Sequence, residues 1–280
     1  MNELYTASEA IARLKLARST FYYLVDQGII PKVTVPLRKQ AYYSKQVIDA
    51  LAAQRQAVVR EYETKPERLQ FMRPTLQDLE QLVEIDRTIW GEVGIIDPEA
   101  IEERFRHNPD CVHVMKDIIT GTVLGGVTMS PLADGLVERL IALEMDESDI
   151  RPSDYLPFTS EHPQDCYIVG IVARQDVSAP YYASLILRHA MSYLLELAER
   201  GIILRTLSTV ATTEDGERLA RKLGFTEIIH GKGPLGDERR AFQLDLDERK
   251  PTAQLAIRYQ AALRNRTRRA KRHQAERRSA

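Results

Sequence analysis

Near the start of the chain, apolar residues recur at spacings of three and four in two short stretches, which predicts two amphipathic helices. Thr6 and Glu9 have the capping-box spacing at the start of the first helix, and Gly28 is the predicted stop of the second, which spans 17–27. The inward positions are Ala7, Ala10, Ile11 and Leu14 in the first helix, and Ala17, Phe21, Leu24 and Val25 in the second.

Two β-prone runs follow, at 32–35 and 40–43, joined by residues 36–39. They predict a two-stranded hairpin with two cations at its tip. Ser44 is the predicted N-cap of a third helix. Proline at position 66 disfavours helix at the residue before it, so a linker and a domain boundary are predicted at 64–67.

From residue 68 onward, short β-prone runs alternate with longer helical ones. The almost continuously apolar run 166–174 predicts a central strand of a sheet, and a long helix is predicted over 181–200, ended by Gly201. Residues 131–165 are rich in acids and contain four prolines, and they are predicted to be an insertion of unassigned structure. Further strands are predicted at 68–72, 111–116, 122–129, 202–210, 225–229 and 241–246, and further helices after Thr75, at 97–105 and at 213–223.

Charge divides the chain into three parts. The net charge is −1, but residues 1–60 hold nine Lys/Arg against four Asp/Glu, and residues 249–280 hold eleven against one. The middle is therefore strongly acidic, which indicates that the two ends, rather than the middle, meet a polyanion.

The length of 280 residues allows about two domains. The apolar runs are too short for a membrane span, and Cys111 and Cys166 form neither a CxxC pair nor a disulfide framework. These features predict a cytoplasmic protein with no membrane association and no metal site.

Residues 5–51, with two helices, a glycine stop, a hairpin and a closing helix in order, resemble the MerR/excisionase superfamily of winged helix-turn-helix domains. Lys15 and Ala17 depart from its usual Gly and Ser/Thr. The resemblance implies a double-stranded DNA partner and leaves a homodimer open. The predicted DNA-binding residues are Arg18, Ser19, Tyr22 and Tyr23 of the second helix, Arg38, Lys39 and Tyr42 of the hairpin, and Arg266, Arg268 and Arg269 of the tail.

The element order over 68–247, together with the segment 219–225, resembles the GNAT acyltransferase fold. That resemblance implies acetyl-CoA or another acyl-CoA, held by amides at the start of the long helix. The spacing of the family places Ser178, Tyr181 and Ala183 on the cradle, where only Ala183 matches, and Pro180 removes an amide. The residues that would contact acyl-CoA, if it binds, are Val172, Arg174, Ser178, Tyr181 and Ala183.

The catalytic residues of that family are less apparent here. Ala220 stands where the family often has a Tyr acid, and Thr213 where it often has an Asn. Glu138, Glu144 and Glu161 are candidates for a general base, with nothing to choose between them, so the catalytic residues stay unassigned.

The sequence thus predicts an α+β protein: a winged helix-turn-helix domain at 1–63, a GNAT-like mixed α/β domain at 68–247, and a basic helical or disordered tail at 248–280. The predicted function is a sequence-specific DNA-binding protein, a transcriptional regulator whose GNAT-like domain binds a ligand or a partner. Two alternatives remain: an N-acyltransferase that uses acetyl-CoA and carries a DNA-binding head, and an excisionase-like accessory factor of mobile elements.

Overall fold

The computed structural model describes residues 3–38, 40–91 and 98–279, and for Pro98 and residues 267–279 it describes the backbone alone. The first part of the chain, called the head below, ends at Thr64. Its elements are β1 (Leu4–Thr6), α1 (Ala7–Leu14), α2 (Arg18–Asp26), β2 (Lys32–Val33), β3 (Tyr42–Ser44) and α3 (Lys45–Thr64).

The head confirms the predicted helices and corrects the hairpin. Thr6 and Glu9 form both bonds of a capping box, and α1 ends at Lys15, which is left-handed at φ 52°. The predicted antiparallel pairing of the two hairpin strands is present between β2 and β3, but β1 pairs with the other edge of β3 and makes a three-stranded sheet in the order β1-β3-β2. The strand β1 immediately precedes the α1 cap and is only three residues long, so periodicity does not reveal it.

The rest of the described chain, called the body, contains a seven-stranded sheet in the order β4-β5-β6-β7-β8-β10-β9. All neighbours are antiparallel except β7 and β8. The element order expected from the GNAT resemblance is confirmed, in a mixed α/β fold with one large mixed sheet. The elements are β4 (Leu69–Met72), α4 (Leu76–Trp90), α5 (Pro98–His107), β5 (Val112–Asp117), β6 (Thr122–Pro131), α6 (Leu136–Ile141), β7 (Gln164–Ala173), α7 (Ala179–Arg200), β8 (Leu204–Ala211), α8 (Glu214–Leu223), β9 (Thr226–Lys232), β10 (Glu238–Asp245) and α9 (Gln254–Ser279).

Helices cover both faces of the sheet. One face packs on α7 and the start of α9, and the other packs on α4, α5 and α6. The supposed insertion at 131–165 belongs to the second layer: it contains α6 and 3-10 turns at Glu147–Asp149 and Pro152–Asp154. Its apolar residues Leu132, Val137, Leu140, Met145, Ile150 and Tyr155 are buried in the core.

The basic C-terminal segment is helical, and its first turns are packed on the body. The hydroxyl of Tyr259 donates to the carbonyl oxygen of Ile202 (2.8 Å) and accepts from the amide of Leu204 (2.9 Å). These two hydrogen bonds fix α9 beside the start of β8. Within the described residues, none of the helices has the length and apolar character that crossing a membrane requires.

The junction between head and body is held by a buried carboxylate. Asp117, at the end of β5, accepts from the Tyr62 hydroxyl of α3 (3.1 Å) and pairs with Arg68, while Arg68 also pairs with Glu61. The Asp117 side chain is 1% exposed. Such a charge is costly to bury without partners, so this network ties α3 to the edge of the sheet.

Candidate active site

The parallel strands β7 and β8 separate in the middle of the sheet. They pair only from Gln164 to Tyr167 on β7, although the two strands continue to Ala173 and Ala211. At the fork, the Thr209 hydroxyl donates to the carbonyl oxygen of Ile168 (2.9 Å). Beyond this bond, the edge of β7 faces a gap instead of a neighbouring strand.

A β-bulge lies in β7 at the same place. The pairing with β6 passes from Gly170 directly to Ile168, which leaves Val169 outside the ladder. On β6, Gly125 has φ +139°, and a Cβ there would lie 2.2 Å from the carbonyl oxygen of Val172. The glycine therefore lets β6 stay close to β7 while β8 diverges. Bulges next to active sites commonly re-aim the backbone in this way.

A cavity of about 370 Å³ opens at the fork, between the sheet and the layer formed by α4, α5 and the 131–165 segment. Most of its walls are apolar, and they are contributed by Leu82, Val83, Trp90, Ile101, Val112, Val169, Val172, Val210 and Leu235. The ionisable side chains that line it are Asp86, Arg104, Asp146, Glu147, Tyr155, Asp237 and Arg239. An apolar pocket with a few convergent polar groups is the usual form of a small-molecule site.

Glu147 is a carboxyl group of the cavity that is hydrogen-bonded to the strand at the fork. It accepts a 2.6 Å hydrogen bond from the hydroxyl of Tyr167, the last β7 residue paired with β8. Burial raises the pKa of Glu147 from 4.5 to about 7, with Asp146 adding to the rise and the Tyr167 bond and Arg239 opposing it. A carboxyl group that is half ionised at neutral pH is suited to act as a general base.

A second carboxyl group of the cavity wall, Asp86, comes from α4. Burial alone raises its pKa from 3.8 to about 7. Asp86 and Glu147 therefore have pKa values of about 7 in common. They differ in position, because Asp86 lies on the helical layer and Glu147 is hydrogen-bonded to the strand.

Tyr155 and Arg104 form the polar end of the cavity. The Arg104 guanidinium lies over the Tyr155 ring, 4.7 Å from its centroid, and donates to the carbonyl oxygen of Ile150 (3.1 Å). Among the described residues, the Tyr155 hydroxyl and the Arg104 Nε are buried without a hydrogen-bond partner. Burial also raises the pKa of Tyr155. Buried polar groups of this kind normally have a partner, so both are available to a ligand.

The predicted acyl-CoA cradle, at the other end of β7, does not fit a pyrophosphate. The amide of Ser178 donates to the Asp176 carboxylate (2.6 Å), and the amide of Ala179 donates to the Asp176 carbonyl oxygen. The amides of Tyr181 and Tyr182 both donate to the carbonyl oxygen of Ser178. The first-turn amides that would bind an anion are therefore already satisfied.

The other residues predicted to contact acyl-CoA are dispersed. Val172 lines the cavity, Arg174 is exposed and lies 3.6 Å from Asp176, and Ala183 is exposed one turn along α7. Val177, between them, is buried in the core of the head. The structure therefore does not bring the five predicted residues together around one ligand.

Sequence reasoning missed the carboxyl groups of the cavity. The three predicted bases Glu138, Glu144 and Glu161 are exposed, whereas Glu147 and Asp86 line the cavity and have raised pKa values. Glu147 lies between the buried residues Met145 and Ile150, and that apolar flanking was the one local signal.

Ala220 and Thr213, the two other positions compared with the GNAT family, have structural roles. Ala220 is buried in the core under α8. Thr213 caps α8, and its hydroxyl accepts from the amide of Gly216 (3.1 Å). Among the described residues, no group of three or more His, Cys, Asp or Glu side chains is placed to hold a metal ion.

The predicted DNA-binding residues of α2 lie partly against the body. The Ser19 hydroxyl donates to the Asp215 carboxylate (2.9 Å) and the Thr20 hydroxyl to Gln175 (2.9 Å). Arg18 is exposed, with its guanidinium 5.7 Å from the Tyr22 ring centroid. Tyr22 and Tyr23 are half-buried against the core of the head.

The predicted residues of the hairpin and tail are distributed differently. Arg38 donates to the Tyr42 hydroxyl (3.2 Å) at the hairpin, and Lys39 lies outside the described residues. The Arg266 guanidinium lies against Gly201 at the end of α7, and the side chains of Arg268 and Arg269 lie outside the described part of the chain.

No protein-family model matches the chain, and no curated protein matches it. The solved structures that resemble it include mosquito arylalkylamine N-acetyltransferase like 5b, at 14% identity over 63% of this chain and 99% of that one, with a TM-score of 0.43. They also include the ribosomal-protein-S18-alanine N-acetyltransferase of Escherichia coli, at 12% identity over 66% and 97%, TM-score 0.41. A third is FeeM, an N-acyl amino acid synthase from uncultured soil microbes, at 17% identity over 68% and 96%, TM-score 0.45.

The prediction of a DNA-binding transcriptional regulator is wrong. The helix expected to enter the DNA groove has residues of its N-terminal turn, Ser19 and Thr20, hydrogen-bonded to the body. A recognition helix contacts bases through its N-terminal residues. In this chain Ser19 faces the acidic first turn of α8, where Glu214, Asp215 and Glu217 would repel phosphate.

Proposed function

We propose that this protein is an N-acyltransferase, which moves an acyl group from a thioester to an amine at the fork between β7 and β8. One observation carries the proposal: Glu147, with its pKa raised to about 7, is bonded to Tyr167 at the fork and lines a mostly apolar cavity. Acyl transfer to an amine needs a base for the ammonium proton and a dry wall for the acyl chain.

The proposed reaction assigns each proton to a residue of the cavity. Glu147 takes the proton of the amine, whose nitrogen then attacks the thioester carbonyl carbon and forms the new C–N bond. Collapse of the tetrahedral intermediate breaks the C–S bond. The Tyr155 hydroxyl, which lines the same cavity without a protein partner, gives its proton to the departing thiolate and takes the surplus proton of the new amide nitrogen in exchange, so Tyr155 ends neutral.

The negative oxygen of that intermediate needs a hydrogen-bond donor. In the proposal the donor is the backbone of β7 at Val169, which lies outside the β6 ladder and beside the gap left by β8. A backbone donor is rigid and needs no reorganisation during the reaction. The apolar walls exclude water, which would otherwise hydrolyse the thioester.

Release of free thiol tests the proposal. We expect the wild-type chain to release thiol from short- and medium-chain acyl thioesters only when an amine is present, and mass spectrometry to find the amide. Glu147→Gln should lose most of this activity, whereas the exposed-acid control Glu144→Gln should keep it. Absence of amide formation across aliphatic amines, aromatic amines and amino acids would refute the proposal.

The assignment of the head to the winged helix-turn-helix superfamily stays a prediction, as does a homodimer. In the proposal the head is a packed part of the enzyme: α3 lies beside the start of α7, with the Tyr62 and Tyr181 rings stacked at 6.4 Å.

A further inference from the structure

We infer that the acyl donor of this protein is recognised without a nucleotide diphosphate, as a thioester of pantetheine rather than through the nucleotide of coenzyme A. This inference rests on the proposed acyl transfer, because it names the class of donor for that reaction. It comes from the contrast between an open cavity at the fork and a filled loop at the end of β7.

The first observation is that the start of α7 has no free anion site. A helix N-terminus binds phosphate through amides that lack partners inside the helix. Here the amides of Ser178, Ala179, Tyr181 and Tyr182 all donate within the chain, and Pro180 has none. The Asp176 carboxylate already takes the place of an anion at this terminus.

The second observation is that the head covers the same loop. Val177 is 6% exposed and belongs to the core of the head, and Ser178 is 1% exposed. Thr20 bonds to Gln175 from α2, and Tyr62 of α3 packs on the rings of Tyr181 (6.4 Å) and Tyr182 (6.5 Å). A diphosphate could reach these amides only if the head moved away.

The third observation is that the head is fixed where it would have to move. Asp117 joins Tyr62 and Arg68 through a buried network, and Val58 and Tyr62 pack on the core beneath α7. Breaking a buried pair by separating one partner leaves an uncompensated buried charge and is strongly destabilising. The closed loop is therefore a stable feature of the fold, whereas the cavity needs no such rearrangement to admit an acyl chain.

The fourth observation concerns charge. A diphosphate carries at least two negative charges, and its position in the cradle would be in contact with the Asp176 carboxylate. Arg174 is nearby but is already 3.6 Å from that carboxylate and is exposed. Like charges in contact repel, and one shared cation does not compensate two anionic groups. An uncharged pantetheine arm avoids this repulsion.

The test compares three thiols that differ only beyond the pantetheine arm: pantetheine, phosphopantetheine and coenzyme A. Each is titrated into the full-length protein by calorimetry, and its acyl thioester is then used as donor. We expect the three Kd values, and the three kcat/KM values, to agree within about threefold, since the nucleotide makes no contact worth the roughly 1.4 kcal/mol of a tenfold effect.

Binding of coenzyme A thirtyfold or more tighter than pantetheine would overturn the inference, and so would the failure of all three thiols to bind. Equal binding without any amide formation would support the inference while refuting the proposed acyl transfer. The two proposals can therefore fail separately.

Opening this site should reverse the result for coenzyme A. Asp176→Ala frees the Ser178 amide and removes the competing carboxylate, and Asp117→Ala loosens the head that covers the loop, so in the double variant coenzyme A should bind about tenfold tighter than pantetheine. The control Asp117→Ala alone, which leaves Asp176 bonded to the Ser178 amide, should keep the wild-type ratio. A double variant with the wild-type ratio would contradict the role given to this carboxylate.

Discussion

The two ends of strand β7 differ in whether they are open to a ligand. At the fork the strand loses β8 on one side and gains a bulge on the other, and a cavity results. At its C-terminal end, the strand runs into a loop where each first-turn amide has a partner and the head lies on top. The same strand thus carries an open site at Val169 and leads into a closed one at Ser178.

The difference shows when ordinary backbone N–H and C=O groups can form a binding site. Backbone polar groups become a site when the fold withholds their partners and leaves room beside them. Val169 lies outside the β6 ladder and beyond the end of the β7–β8 pairing, whereas around Ser178 the chain supplies the hydrogen-bond partners itself. Substitutions at both ends of β7 test this contrast.

The largest expected effect is a loss of catalytic activity at the fork. Glu147→Gln should lower kcat by about 100- to 10,000-fold, the usual contribution of a general base. Wild-type activity should fall as the pH drops below about 7, because the base must be ionised and its pKa is raised to about 7. The variant should lose this limb of the pH profile.

Asp86→Asn is the matched control, because Asp86 has the same pKa of about 7 but lies on α4. It should change KM more than kcat and should keep the acidic limb. If Asp86→Asn instead abolished kcat while Glu147→Gln did not, the assignment of the base would be reversed.

The next effect tests how firmly the closed end is held. Asp117→Ala leaves Arg68 and Tyr62 without their shared acceptor, and should lower the free energy of unfolding by about 3–5 kcal/mol. Burial works to raise the pKa of Asp117, but Arg68 and backbone amides outweigh it and hold the pKa below 3.8. The contribution is therefore present above that pH and is lost on acidification, so the two proteins should converge in acid.

Urea melts at pH 7 and at about pH 2 measure this difference, because the contribution is lost only as the pH falls through the lowered pKa of folded Asp117. Asp49→Ala is the control: its ion pair with Arg13 (2.6 Å) is 43% and 48% exposed, and exposed pairs contribute less than about 1 kcal/mol. Equal losses in the two variants would show that the junction is not fixed by Asp117.

A smaller change in stability, this time an increase, is expected when the proposed general base Glu147 is replaced. Because the pKa of Glu147 is raised in the folded chain from 4.5 to about 7, the folded state binds the proton more tightly. Stability from this group is full below pH 4.5 and is lost as the pH rises to 7. Glu147→Gln, which cannot ionise, should be more stable than wild type by about 1–3 kcal/mol at pH 8, and nearly equal to it at pH 4.5. Thermal melts at the two pH values decide this.

The smallest effect is expected where α2 meets the loop. Thr20→Val keeps the shape of the side chain but removes the bond to Gln175, and should cost about 1 kcal/mol. Ser19→Ala, which removes an exposed bond to Asp215, should cost less. A loss above about 3 kcal/mol for Thr20→Val would mean that α2 docking, rather than the Asp117 network, holds the head.

The sequence specified most of the secondary structure. The capping box of Thr6 and Glu9, the stop at Gly201, and the apolar run of β7 are local signals, and the structure confirms each. It also contained the departures at Pro180 and Tyr181, which predicted a poor cradle. Local chemistry sets such features because helix caps, turns and strand burial depend on residues close in the chain.

Only the tertiary structure decided where the site lies and which surface is covered. Glu147 resembles the neighbouring acids in sequence, and its pKa rises only because other segments bury it beside Tyr167. Likewise, Ser19 looks like free surface of a DNA-binding helix until Asp215, 196 positions away in the chain, accepts a hydrogen bond from its hydroxyl. The next residue, Thr20, donates to Gln175 in the same way. Desolvation and occlusion depend on contacts between distant segments, and one-dimensional patterns carry no record of them.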